Sequence, residues 1–337
     1  MDDSMKVAVL YGIHDIRIEE RPVPRPAPDE VLIRVSSVGT CGSDVHYYEH
    51  GRIGDFVVEQ PLVLGHEPSG VVVDRGKDAH RHEIGARVAL EPGVACSVCA
   101  ECKAGRYNLC PRMRFFGTPP VDGAFCEYVV LREDFAHPIP DALSDDAGGL
   151  LEPLSVGVWA SRKSRIAPGS RVLITGAGPI GLVATQTARA FGASEVVVTD
   201  VNPRRLRVAG ELGATGTIDV SREGLDGFTP DVLLECSGVP GAAAQAIRSV
   251  GRAGRVVLIG MGGDEIPLPL AHVQNFEIEV TGTFRYANTW PTAIALAASG
   301  EVDLDRLVTH RFGLDEVERA LTVASKDDSV IKAVVRA

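Results

Sequence analysis

Residues 171–200 constrain the fold more than any other stretch of the chain. Arg171-Val-Leu-Ile-Thr175 is an apolar, β-branched run of strand length, and Gly176-Ala-Gly-Pro-Ile-Gly181 follows it at once. Good helix formers at helical spacing then run from Ile180 to Phe191, and a second strand run, Glu195 to Asp200, follows. G-x-G-x-x-G alone is a weak signal. Between a strand and a helix each glycine has a physical task. Gly176 permits the tight turn, Gly178 lets the backbone approach a pyrophosphate, and Gly181 lets the helix pack close to the strand. Pro179, at the first helical position, and Ile180 complete a loop whose free N–H groups and helix dipole favour an anion. Asp200 stands close to the ~20-residue offset expected of the acid that accepts hydrogen bonds from the ribose hydroxyls of NAD. Arg204 and Arg205 lie just beyond, where arginine can receive the 2′-phosphate of NADP. Arg205 is counted with the cofactor residues, and Asp200 makes NAD the expected cofactor. A nucleotide-free sheet of the same fold is the bland alternative.

The pattern continues. Asn202 reads as the N-cap of a helix from Pro203 to Leu212. Strand runs at Asp231 to Cys236 and Gly254 to Gly260 flank a helical stretch from Ala242 to Val250. Alternating strands and helices predict a Rossmann-type, doubly wound parallel sheet. The first ~150 residues read instead as β-rich with long loops, with short runs at Val7–Leu10, Glu30–Val35 and Gly70–Val73. Arg21-Pro-Val-Pro-Arg-Pro-Ala-Pro28 reads as an extended surface connector. At 337 residues the chain exceeds one ordinary core, so two domains are expected, and 36 glycines with 5% aromatics suit an α/β enzyme.

Formal net charge is -11, which disfavours nucleic acid as a partner. The acidic start, Met1-Asp-Asp-Ser4, does not resemble a signal peptide, and the apolar runs are strand-sized, so no membrane span is expected. The expectation is a cytoplasmic protein with reduced thiols. Four of the seven cysteines cluster as Cys96-x2-Cys99-x2-Cys102-x7-Cys110, and in that setting clustering favours metal over disulfides. Four thiolates at this spacing can close a tetrahedron around Zn²⁺ with no open position, which makes the site structural. An Fe–S cluster or redox thiols are the alternatives. Cys126 and Cys236 read as small buried hydrophobes.

Elsewhere stand Gly39-Thr-Cys-Gly-Ser-Asp-Val-His46 and Gly65-His-Glu67. A thiolate, an imidazole and a carboxylate gathered by a fold can hold Zn²⁺ and leave one position open, which is what alcohol oxidation needs. Ser43 is the candidate to take the alcohol proton and His46 the candidate terminal base. Taken singly, each of these residues is more often structural.

Together the motifs carry a resemblance. The chain resembles the zinc-containing medium-chain dehydrogenase/reductase family, and within it the sorbitol (polyol, including xylitol) dehydrogenases. The matching pieces are Cys41 to Tyr48, Gly51 to Gly54, Pro61 to Glu67, the cysteine lobe, Leu151-Glu-Pro-Leu-Ser-Val-Gly157, the glycine loop, and Phe284-Arg-Tyr-Ala-Asn-Thr-Trp-Pro291. The resemblance implies a GroES-like, β-rich catalytic domain of residues 1–153 and 288–337, with a Rossmann NAD-binding domain of residues 154–287 inserted and the active site in the cleft. It implies two zinc ions per chain. The catalytic one would sit on Cys41, His66 and Glu67, with Glu152 as an alternative third ligand or as a residue holding the zinc water. It assigns Tyr47, Phe116, Thr118, Glu152, Arg285 and Tyr286 to a polyol pocket, Glu152 counting also as catalytic. It suggests a homotetramer, or a dimer as the fallback. The implied reaction is oxidation of a secondary alcohol of a polyol to a ketose, with hydride passing to NAD. Rival readings are a butanediol- or threonine-type enzyme of the same fold, and a catalytically silent NAD-binding protein.

Overall fold

The computed structural model describes residues 3–225, 227–263 and 265–337. Two compact units emerge: Met1–Glu152 with Leu304–Ala337, and Pro153–Asp303.

In the first unit, β1 (Ser4–Gly12) pairs antiparallel with β2 (Asp15–Pro22). The proline-rich segment after β2 has no regular structure, since proline donates nothing to a ladder. β3 (Glu30–Gly39) then leads into α1 (Gly42–His50), a helix absent from the pattern reading. The short β4 (Leu62–Val63) adds to the β1–β2 sheet. β5 (Glu67–Arg75), β6 (Arg87–Leu90), β7 (Tyr128–Arg132) and β8 (Ala136–Pro138) surround β3, with β5 and β7 its antiparallel neighbours. The β3–β5 register sets Gly39 opposite Glu67, which decides the geometry of the site below.

α2 (Leu151–Lys163) carries the chain from the first unit into the second, which is built on a six-stranded parallel sheet. Its elements are β9 (Arg171–Thr175), α3 (Pro179–Ala190), β10 (Glu195–Asp200), α4 (Pro203–Glu211), β11 (Gly216–Asp219), β12 (Val232–Glu235), α5 (Pro240–Ser249), β13 (Arg255–Leu258) and β14 (Glu279–Gly282). The strand order is β11-β10-β9-β12-β13-β14. The central strands are buried on both faces, which is why they read as unbroken apolar runs. The edge strands β11 and β14 are short and half-exposed, so they carry no such run and went unseen in the pattern.

α6 (Trp290–Ala298) also belongs to the second unit. This unit runs on to Asp303, past the expected return at 288, and the first unit resumes at Leu304. Trp290 is 1% exposed, and the Arg162 guanidinium donates to the Asn288 carbonyl and Thr292 Oγ1 at 2.6 and 2.7 Å. Gln186 and Asp303 exchange a second pair of hydrogen bonds. The chain then completes the first unit with β15 (Val308–Gly313) and β16 (Lys332–Arg336), β16 pairing with β3 so that Val334 lies opposite Gly39. Asp146, 1% exposed, fixes this return: it accepts from Ser37, Arg311 and Arg336. Among the described residues no helix is long and apolar enough to cross a membrane.

Candidate active site

Cys41 caps α1, and its backbone N–H donates to Asp44 Oδ2 at 2.9 Å. His66 and Glu67 start β5, just after Gly65 in left-handed backbone at φ 89°. Cys41, His66 and Glu67 each offer one ligand atom, and these lie within 4.8 Å of one another. A zinc ion holding a sulfur, a nitrogen and an oxygen at about 2.0–2.3 Å needs a donor set of this size. Glu67 is 1% exposed, and its Oε2 is buried with no hydrogen-bond partner. An orphaned buried carboxylate oxygen is costly unless a cation takes it. The three residues therefore fit the metal.

Two further residues complete the cluster, and neither was singled out from sequence. Asp44, fully buried, also accepts from Gly65 N–H at 3.0 Å and lies 3.4 Å from His66 Nδ1. Burial works against its ionisation, but His66 and the two N–H donors outweigh that and hold its carboxyl below the usual range. Lys332 of β16, 4% exposed, donates to Glu67 Oε1 at 2.6 Å. Burial alone would lower the Lys332 ammonium; Glu67 and Cys41 raise it. Burial pushes the Glu67 carboxyl up, partly offset by Lys332 and His66. Burial would likewise lower His66, yet Asp44 and Cys41 carry it well above its ordinary value. An anionic cluster that draws a proton onto an imidazole draws a metal cation to the same place, the proton leaving as the metal enters. Asp44→Asn would retain the size but present an amide to donors. It is expected to weaken zinc binding at this cluster by roughly 10–100-fold, read by chelator competition, as for other residues that orient a ligand from behind.

The remaining assigned residues are distributed more widely. Ser43 Oγ lies 3.5 Å from His66 Nε2, against the metal ligand. His46, half-buried, faces His50 with ring centroids 5.5 Å apart. Glu152, 6% exposed near the start of α2, lies outside the three-residue group but reaches Lys332 electrostatically. Tyr47 is 3% exposed within the core of the first unit. Phe116 packs on that core and lines a cavity of about 570 Å³ with Met5, Arg114 and Tyr128, a lining that includes none of Cys41, His66 or Glu67. Thr118 donates its backbone N–H to the Phe115 carbonyl. Arg285 and Tyr286 belong to the second unit; Arg285 stacks on Phe284 at 4.7 Å, and Tyr286 meets Trp290 edge-on.

The four lobe cysteines converge as their spacing predicts. The Cys99–Cys102, Cys99–Cys110 and Cys96–Cys102 sulfurs lie 3.4, 3.9 and 4.0 Å apart. Thiolates at about 2.3 Å from one zinc sit about 3.8 Å from each other, so the lobe fits a closed tetrahedral site. The Val98 N–H leads in holding the Cys96 thiol down at about 6, whereas burial and neighbouring thiols push Cys102 up to about 12. Cys126 is 3% exposed and burial pushes its thiol to about 12, an inert buried group.

At the glycine loop, Gly176 has φ 83°, and a Cβ on Gly181 would lie 1.8 Å from the Gly176 carbonyl oxygen. Both glycines answer to the protein itself. Gly178 does not: a Cβ there would meet nothing within 4 Å. Its absent side chain leaves open space at the N-terminus of α3, where a pyrophosphate fits. Asp200 accepts from Ala177 N–H at 2.6 Å and Asn202 N–H at 2.8 Å, which orients its carboxylate at the end of β10. Arg205 is half-buried in the first turn of α4, its N–H bound to the Asn202 cap.

Comparison with known proteins agrees with this architecture. Residues 27–141 match the family described as Alcohol dehydrogenase GroES-like domain, and residues 179–299 match Zinc-binding dehydrogenase. The chain is 45% identical to a sorbitol dehydrogenase of Bacillus subtilis, covering 94% of this chain and 93% of that one. It is 44% identical to a mouse (Mus musculus) sorbitol dehydrogenase over 94% and 92%. The crystal structure of 2R,3R-butanediol dehydrogenase from Bacillus subtilis superposes with a TM-score of 0.91 at 33% identity, covering 99% of this chain and 100% of that one. With its metal cluster, cysteine lobe and nucleotide loop in place, the chain belongs to the zinc-containing medium-chain dehydrogenase/reductase family, in the sorbitol dehydrogenase subgroup.

Proposed function

We propose that this protein oxidises a secondary alcohol of a polyol, of sorbitol or xylitol type, to the ketose, with NAD as hydride acceptor and one catalytic and one structural zinc per chain. The observation that carries the reading is the buried, unpartnered Oε2 of Glu67 beside Cys41 and His66. A bound zinc supplies Lewis acidity that lowers the pKa of the alcohol hydroxyl. The chain's own residues do the rest. Cys41, His66 and Glu67 hold the metal, Asp44 orients His66, and Lys332 fixes the second Glu67 oxygen. Ser43 takes the released proton and His46 passes it outward. Gly176, Gly178, Pro179, Ile180 and Gly181 receive the pyrophosphate, Asp200 the adenosine ribose, and Arg205 flanks it. Tyr47, Phe116, Thr118, Glu152, Arg285 and Tyr286 are assigned to the polyol by the family resemblance, since a substrate rich in hydroxyls needs polar partners.

The test is NADH formation from NAD with sorbitol, xylitol, ribitol, arabinitol, 2,3-butanediol, threonine and ethanol, each with and without a zinc chelator. Chelator-sensitive turnover of a polyol is expected. Turnover confined to butanediol, threonine or ethanol would overturn the polyol reading, and the likeness to the butanediol enzyme makes that the second reading. Zinc analysis should find two ions per chain; a chain that takes up only the lobe zinc would favour the silent NAD-binding alternative.

For assembly we propose a homo-oligomer, a tetramer before a dimer. The β14 edge leaves Val280 37% exposed near Phe284, 47% exposed, an apolar edge that natural sheets cover. The unpaired lobe thiols suit a reducing cytoplasm.

A further inference from the structure

Glu235 is a carboxylate in an unexpected place. It ends β12, directly beside β9 in the sheet, opposite Thr175 in register, and it is 3% exposed. Crevices between strands whose connections run opposite ways receive dinucleotides, and β9 and β12 flank that switch point. A buried negative charge beside a pyrophosphate loop is the wrong sign for the ligand, and burial makes it expensive. The charge is instead taken up by the turn that follows. Thr175 Oγ1, Ser237 N–H and Gly238 N–H donate to Glu235 Oε1 at 3.1, 3.0 and 3.1 Å, and Ser237 Oγ donates as well. Ser237 Oγ in turn accepts from Val239 N–H at 3.2 Å, at the start of α5.

The turn held this way touches both neighbouring loops with almost no side chain between them. A Cβ on Gly176 would lie 3.1 Å from Ser237 Cα. Gly238 has φ 66°, and a Cβ on it would lie 2.2 Å from the Met261 carbonyl oxygen. A Cβ on Gly262 would lie 1.7 Å from the Gly238 carbonyl oxygen. Three strand ends, those of β9, β12 and β13, are thus locked at backbone distance. Thr175 Oγ1 accepts from the Cys236 N–H at 3.2 Å, and Glu235 is the side chain that gathers Thr175, Ser237 and Gly238 onto one acceptor. Asp200, on β10, commits the other side of β9 to the adenosine ribose.

We propose that Glu235 is a positioning residue for the nicotinamide half of the dinucleotide, holding the Ser237–Gly238 turn in the shape that half rests on. The inference depends on the nucleotide site described above. It is tested by NADH fluorescence titration and AMP calorimetry on zinc-loaded protein. Glu235→Ala is expected to weaken NADH roughly tenfold or more, the effect of losing several charge-assisted hydrogen bonds, while AMP, which lacks the nicotinamide half, binds as before. Glu235→Gln keeps an acceptor oxygen for Ser237 and Gly238 and should recover NADH binding to within about threefold of the native protein. Unchanged NADH binding in Glu235→Ala, or equal losses for NADH and AMP, would overturn the proposal, since general loosening of the unit weakens both ligands. If Glu235→Ala fails to fold by circular dichroism, Ser237→Ala replaces it, with a loss of about threefold expected for NADH alone and equal or absent losses again decisive against. A native protein that binds neither ligand would sink the nucleotide site itself, a result distinct from these.

Discussion

Replacing His66 by alanine is expected to abolish alcohol oxidation while NADH binding stays intact. His66 stands between the two requirements of the cluster. Its Nε2 side faces Ser43 and its Nδ1 side faces Asp44, so the ring cannot turn to favour one partner. Alanine leaves two of the three ligands in the described cluster, Cys41 and Glu67, too few to hold zinc with an open position. It also leaves Asp44 charged and buried with only the Cys41 and Gly65 N–H groups. Without the metal the substrate hydroxyl loses the Lewis acid that lowers its pKa, so the fall in turnover should exceed about 10⁴-fold. NADH binding is assigned to the loop at 176–181 and to Asp200, which belong to the other unit, so the substitution removes no group assigned to the cofactor. Zinc analysis supplies the second readout: one ion per chain, retained by the lobe, in place of two. A His66→Ala protein that turns over at the native rate would end the zinc assignment.

How far such a site is legible in the sequence depends on how local its cause is. The nucleotide loop is fixed within thirty residues, so strand, loop and helix fell where their pattern put them, from Arg171–Thr175 to Glu195–Asp200. The cysteine lobe is as local, since one loop supplies all four ligands. The residues assigned to the catalytic metal stand in two short motifs, Gly39–His46 and Gly65–Glu67, but their supports are distant. Lys332 lies far along the chain from Glu67, and only the register of β16 against β3 brings it there. A lysine inside the apolar run Val330 to Val335 was the signal available, because a charge in a buried strand needs a partner. Asp44 stands in the first turn of α1, a helix that the pattern does not mark, so nothing local sets it apart from other acids or points to His66. The expected return at 288 lies two residues before Trp290, which sits beside the Arg285–Tyr286 motif, and the sequence carries no local mark of which core that buried side chain serves.

The second large effect is expected from a single methyl group. Gly39 ends β3 opposite Glu67, and a Cβ there would lie 1.9 Å from Glu67 Oε2 and 3.1 Å from its Cδ. The clash falls on the very oxygen assigned to the metal. Glu67 cannot yield cheaply, since Lys332 holds its other oxygen and the side chain is 1% exposed. In Gly39→Ala the carboxylate must swing out, breaking that ion pair, or the β3–β5 ladder must shift. Either path removes one of three metal ligands. Turnover is expected to drop by at least about 100-fold with loss of the catalytic zinc, and stability by about 1–3 kcal/mol from overpacking. The lobe zinc and NADH binding should be unaffected, because the four lobe cysteines and the residues assigned to the nucleotide do not include Glu67. A double-mutant cycle separates this cause from general damage. If the methyl acts through Glu67, then Gly39→Ala and Glu67→Ala remove the same interaction, and the double variant should lose no more activity than the worse single variant. Additive losses would mean that Gly39 serves the strand rather than the carboxylate. The glycine would then be a backbone requirement of the sheet, and Glu67 would be free to reach the metal with or without it.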